Sequence, residues 1–177
     1  MATVASARRH AQAVFQIALE RGELDLWRGD LERISEAMKD PLVYAFLESP
    51  KIHFDEKARI LSQRLEGINP LAMNLAYLLV ARRRLGIAGD IVTEYQRLVD
   101  EHRGIAHAEV ATAVPVDEEL EDKLARRLGD LVGKEIVLIS RVDPSLIGGL
   151  MARVGDKLID GSTKTRLLSL RQSLVGR

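Results

Sequence analysis

The chain contains no cysteine. Disulfides, thiolate nucleophiles and every zinc site built on sulfur are thereby excluded, and a reducing compartment fits. It also lacks an excess of either charge. Its 26 basic side chains are matched by 26 acidic ones, and the balance holds in each half. Phosphate neutralisation demands a basic surplus, so nothing in the net field draws the chain to nucleic acid. No run approaches the roughly 18 apolar residues of a membrane span, and the N-terminus carries no apolar signal segment. The expectation is a soluble cytosolic chain without direct membrane insertion, free to dock on a membrane-bound complex.

Catalytic signatures are missing as well. The four histidines, His10, His53, His102 and His107, show no metal-ligand spacing, and Glu101-His102 does not continue into H-E-x-x-H. Neither G-x-S-x-G nor S-x-x-K occurs in a suitable context. The run Gly161 to Thr165, GSTKT, imitates a phosphate loop but fails its geometry. Five residues separate Gly155 from Gly161, and Ser162-Thr163 precede Lys164 where the motif places its second glycine directly before the lysine, so the cradle of backbone N–H groups around the lysine is not specified. Gly148-Gly149 lacks the third glycine of a dinucleotide fingerprint. Adjacent glycines in a strand mark a bulge or a close backbone approach, and Asp160 or Ser162 before a helix acts as a cap. No catalytic residue, metal or cofactor is assigned.

What is present is an ordered globular composition, 46% hydrophobic and 29% charged over 177 residues, enough for one domain or two small ones. Residues 1–105 read as successive helices. In the first, Val4 to Glu20, Phe15 and Leu19 give a large-residue side, while Ala7, Ala11, Val14 and Ala18 form a small-residue stripe where another helix can approach closely. Leu24, Trp27, Leu31, Ile34 and Met38 repeat at helical spacing, ending before Asp40-Pro41. A short apolar piece, Leu42 to Leu47, precedes a helix from Phe54 to Leu65. Asn69 and Pro70 then cap and start a helix running to Leu85, whose one polar residue before Ala81, apart from the phenol of Tyr77, is Asn74. The first and fifth helices are thus too apolar for one buried face: either they share a core, or a groove between them receives a partner helix. Ile87 to His102 completes the bundle, with Ile91, Tyr95, Leu98 and Val99 inward, and Gly104 ends it.

After Gly104 the period changes to alternation: Ala106, Ala108, Val110, Thr112 and Val114 share a strand face closed by Pro115. Asp117 caps a helix with Leu120, Leu124, Leu128 and Leu131 as its buried stripe. Glu135 to Val142 and Ile147 to Val154 read as strands, Gly155-Asp156 as a hairpin turn into Lys157 to Ile159, and Ser162 onward as a final helix. The fold expected is α+β, an all-α bundle over 1–105 and a small domain over 106–177 ordered strand-helix-strand-strand-strand-helix. Arg82-Arg83-Arg84 is either a solvated helix end or a contact for an anion or acidic partner. Read as a nucleic-acid adaptor, that patch predicts affinity falling steeply with salt. The final helix, basic from Lys164 on with spare leucines, either packs at home or docks on an acidic amphipathic helix.

These features, taken in order, resemble a known family. The stretch V-D-P-S-L-I-G-G-L-M-A-R-V-G-D-K-L-I-D-G-S, Val142 to Ser162, followed by an R-L-x-x-L helix at Arg166, resembles the C-terminal signature of the delta subunit of bacterial F-type ATP synthase, equivalent to the mitochondrial oligomycin-sensitivity-conferring protein. A-R-R-H-A-Q-A-V-F from Ala7 and A-L-E-R-G-E-L-D-L-W from Ala18 resemble its first helices. A-R-R-R-L at Ala81 departs from the commoner acidic-Asn-Gly-Arg turn, and His10 stands where the family often has Tyr. The resemblance implies a non-catalytic stator component, one copy per complex, on the cytoplasmic face of the plasma membrane. It would couple rotation to ATP synthesis and proton transport. Its six-helix bundle would take the N-terminal helix of an alpha subunit between the first and fifth helices, at Ala7, His10, Ala11, Val14, Leu75, Leu78, Leu79 and Arg82. Its C-terminal domain would hold the C-terminus of the b subunits, with Lys164, Arg166, Leu170, Arg171 and Leu174 as contacts.

Overall fold

The computed structural model describes residues 2–146, 148–163, 165 and 167, and divides into two compact units, Met1–Val99 and Asp100–Arg177. The first unit holds α1 (Ala2–Arg21), α2 (Leu24–Lys39), α3 (Pro41–Glu48), α4 (Phe54–Arg64), α5 (Pro70–Ala81), a 3₁₀ turn (Leu85–Ile87) and most of α6 (Ala88–Arg103). Capping fixes where two of these begin. The Asp40 carboxylate accepts from the N–H groups of Leu42 and Val43, and the Asn69 side chain accepts from that of Leu71, each with proline at the first helical position. The apolar piece after Asp40 is thus a helix in its own right.

These helices close on one apolar cluster. From α1 it takes Ala7, Ala11, Val14 and Ala18, the whole small-residue stripe, together with Phe15. From α2 come Trp27, Leu31, Ile34 and Met38; from α5, Leu75, Ala76 and Leu79; from α6, Ile91, Tyr95 and Val99. Tyr95 ties three helices: its ring meets Phe15 edge-on at 6.3 Å, and its hydroxyl donates to the Leu24 carbonyl at 2.9 Å. A buried phenol with its hydrogen bond made contributes both area and specificity.

The fifth helix ends at Ala81, four residues earlier than its apolar run suggests. The N–H of Arg84 bonds to Leu79 O at 2.8 Å and that of Arg83 to Val80 O at 3.1 Å, while Arg83 sits at φ 53°. This is a Schellman ending, with arginine where glycine is usual.

In the second unit β1 (Ile105–Thr112), α7 (Glu118–Val132), β2 (Glu135–Val142), β3 (Leu150–Val154) and β4 (Lys157–Asp160) build a sheet of order β2-β1-β3-β4. The β1 and β2 strands are parallel, joined through α7, and the other pairs are antiparallel. The last turn of α6 belongs to this unit, and Asp100 Oδ2 lies 2.9 Å from His107 Nε2 on β1. Ala108, Val110, Leu128, Ala152 and Val154 form the core, with Leu124 and Val132 packed against it. Two positions expected in the buried stripe of α7 are not there: Leu120 is 48% exposed and Leu131 67%. A four-stranded sheet offers one helix a narrow seat, and the seat is filled by the +4 series Leu124, Leu128, Val132. Val114 also lies beyond the strand, exposed.

Gly148 and Gly149 precede β3 instead of lying inside it. Gly161 N–H donates to Leu150 O and Thr163 N–H to Gly148 O, both at 2.9 Å. At Gly149, with φ 81°, an added Cβ would collide with the Gly161 carbonyl and lie 3.1 Å from Ser162 Cα. The close backbone approach therefore stands, placed one step before the strand. Ser162 is buried and its hydroxyl accepts from the Thr165 N–H at 3.3 Å, with Thr163 and Thr165 helical; Lys164, Arg166 and everything from 168 on lie outside the described residues.

Two substitutions test this account. Gly149→Ala is expected to destabilise the second unit by about 2 kcal/mol or more, the left-handed φ alone costing about 1–2, read as a lower midpoint in urea. Arg83→Gly is expected to raise stability by roughly 0.5–1 kcal/mol by relieving the same strain on α5. A neutral result at either position would contradict the backbone reading there.

Candidate functional site

The expected groove residues divide sharply by exposure. Ala7, Ala11, Val14, Leu75 and Leu79 are buried within the helical unit. Leu78 is 40% exposed, Arg82 is exposed, and His10 is half-buried. The reason is periodicity: α5 turns Leu75, Ala76, Leu79 and Val80 into the core, leaving Asn74, Leu78 and Ala81 on the outside. On α1 the outward neighbours of His10 are Ala13, exposed, and Ile17, half-buried. Reading the sequence could find the apolar excess but not its division, which depends on how many neighbours each helix has.

The end of α5 meets the start of α1 through arginine. Arg84 Nη1 donates to Ser6 Oγ at 2.6 Å, one helical turn before His10. Burial first, then the charges of Arg84 and Arg9, hold the His10 imidazole below its ordinary value of 6.5. His10 is therefore kept neutral near pH 7. On the opposite flank of α1, Arg8 reaches Glu94 of α6 at 3.3 Å, and Glu94 also receives Arg97 at 3.0 Å. Hydrogen bonding to Arg97 is the main cause of its lowered pKa.

The arginine turn does not form an unopposed basic patch. A recess of about 480 Å³ beside it is lined by Ser6, Tyr44, Arg83, Arg84, Gly86, Ile87 and also Asp90. With one guanidinium committed to Ser6 and a carboxylate in the same recess, an extended phosphate backbone gains little here.

The phosphate-loop imitation is excluded by bonding. The N–H groups of Gly161, Ser162 and Thr163 are already taken by Leu150 O, Asp160 Oδ1 and Gly148 O. Hydrogen bonds from the Thr165 hydroxyl, then from Ser162, hold the Asp160 carboxyl below its usual value, as a cap requires. Among the described residues no group of three or more His, Asp or Glu gathers to hold a metal, and no helix is long and apolar enough to cross a membrane. The residues expected to meet the stalk, Lys164, Arg166, Leu170, Arg171 and Leu174, lie outside the described residues.

Comparison with known proteins agrees along the whole chain. The family model for the ATP synthase delta (OSCP) subunit matches residues 6–174. The ATP synthase subunit delta of Dehalococcoides mccartyi strain 195 is 43% identical over 96% of this chain and 94% of that one. That of Desulfotalea psychrophila is 36% identical over 97% and 96%. A chain of the Toxoplasma gondii mitochondrial ATP synthase hexamer superposes with a TM-score of 0.61 at 25% identity, covering 96% of this chain and 97% of that one. The helices, the sheet and the glycine signature thus converge, and the chain belongs to the ATP synthase delta (OSCP) subunit family, whose members are structural subunits without catalytic activity.

Proposed function

We propose that this chain is the stator link of an F-type ATP synthase, holding the catalytic head to the membrane-anchored peripheral stalk so that the head does not turn with the rotor. Torque on the rotor otherwise drags the head round, and the synthesis of ATP is no longer coupled to proton flow. The helical unit meets the N-terminal helix of an alpha subunit, and the second unit meets the C-terminus of the b subunits. One copy serves each complex, peripheral to the membrane on its cytoplasmic face. Two modest interfaces joined in one assembly give long residence through effective concentration.

The observation that carries this reading is the apolar outward flank of α5. Leu78, flanked by Ala81, stays exposed on a helix whose inner face is already fully used in the core. On α1, His10, Ala13 and Ile17 likewise face outward with one neutral imidazole, and flanks of this character suit the apolar face of an amphipathic helix. Ala7, Ala11, Val14, Leu75 and Leu79 lie buried on the inward faces of the same two helices.

Titrating the full chain with a synthetic peptide of the alpha-subunit N-terminus from the same organism is expected to give one-to-one binding. Leu78→Glu and Ala13→Glu, both at exposed positions, should weaken it at least about tenfold by burying a charge against the peptide. Unchanged affinity in both variants would move the site elsewhere. His10 adds a pH test. Its folded pKa lies below 6.5, so the unfolded chain binds more protons in the window just below that value, and stability falls as pH drops through it. His10→Gln should therefore flatten the loss of melting temperature between about pH 7.5 and about pH 5. Parallel pH profiles for the two proteins would show that the imidazole is not held neutral.

A further inference from the structure

Two side-chain hydrogen bonds tie α1 to α5, one at either end. Arg84 Nη1, just past the end of α5, donates at 2.6 Å to Ser6 Oγ in the second turn of α1. Asn69 Nδ2, at the start of α5, donates at 3.3 Å to Glu23 Oε2, just past the end of α1. At both places the start of one helix meets the end of the other, so α1 and α5 run antiparallel. Between the ties each presents an outward flank, with Ala13 exposed on α1 and Leu78 on α5.

Both donors are themselves held in place. The backbone N–H of Arg84 is bonded to Leu79 O at 2.8 Å in the tight ending of α5. The Asn69 amide is used on both sides: Oδ1 accepts from the Leu71 N–H at 2.9 Å while Nδ2 reaches Glu23, and the Asn69 backbone N–H donates to Asp30 Oδ2 at 2.9 Å. An amide with acceptor and donor both engaged keeps one orientation. One tie is exposed and the other part-buried, and such bonds add little to global stability. The core cluster that contains Ala7, Ala11, Leu75 and Leu79 supplies most of that. What the ties restrain is local, namely the start of α1, where helices fray, and its exit toward α2.

Stability and geometry are thereby separated. A site made by two helices is ready for a ligand only in the fraction of molecules with both in place, and apparent affinity falls in proportion to that fraction. We infer that Arg84 and Asn69, acting through Ser6 and Glu23, are positioning residues that hold the outward flanks of α1 and α5 at one separation, ready for a partner helix. The partner half of this inference rests on the docking reading above; the separation itself does not.

Because the chain has no cysteine, nitroxide labels at Ala13→Cys and Leu78→Cys report that separation alone. Double electron–electron resonance on the full chain should give one narrow distance distribution, and adding Ser6→Ala with Glu23→Ala should broaden it. The circular dichroism spectrum should stay unchanged, with the melting temperature lowered by no more than about 4 °C. Ser6→Thr with Glu23→Gln keeps both acceptors and should restore the narrow distribution. In the unlabelled chain the alanine pair should bind the alpha-subunit peptide about tenfold more weakly, and the conservative pair as tightly as the wild type. Equal distance widths in all three chains, or equal affinity in the alanine pair, would overturn the inference. No binding by the wild type, with distances that do respond, would bring down the docking reading and the partner half of the inference with it.

Discussion

Close approach along the small-residue side of α1 is the constraint on which the helical unit depends. Ala7, Ala11 and Ala18 are fully enclosed, and Val14 nearly so. Interiors at crystal-like density have no slack for larger groups at such positions. Because this side of α1 is consumed in the core, the helix faces outward with His10, Ala13 and Ile17. The pinning of Tyr95 between Phe15 and the Leu24 carbonyl fixes α6 against the same surface. What is left for a partner is decided by what the core has taken.

The second unit solves a different problem, that of closing a small sheet with few residues. Leu150 and Gly161 pair backbone to backbone at the position where Gly149 leaves no room for a side chain. That contact places Ser162 as a cap, satisfied together with Asp160 and Thr165, at the start of the segment expected to meet the stalk. A glycine that resembles part of a nucleotide motif is thereby explained by packing. The same glycines belong to the most recognisable part of the sequence, which shows how a family signature can record a backbone constraint and not a reaction.

Much of this was legible from residues alone. The helix start at Asn69, the ending at Gly104, the strand at β1 and the change of period that opens it follow from capping and alternation. The end of α5 was hidden because its left-handed position carries Arg83, so the customary glycine signal is absent. The outward turn of Leu120 and Leu131 was hidden for another reason: leucines on both flanks of α7 look alike until the width of the sheet beneath is known. Exposure of Leu78 beside burial of Leu79 is likewise a property of neighbours, not of composition.

The linking role proposed for this chain is one of attachment, so the central claim is tested at the level of the assembly. Membranes stripped of this chain and of the catalytic head can be recombined with purified head, and the ATPase that sediments with the membranes measured with and without the chain. The account predicts that the chain restores membrane-bound ATPase and proton pumping while adding no hydrolysis of its own, and that Leu78→Glu restores much less. Equal attachment of the head without the chain would contradict it.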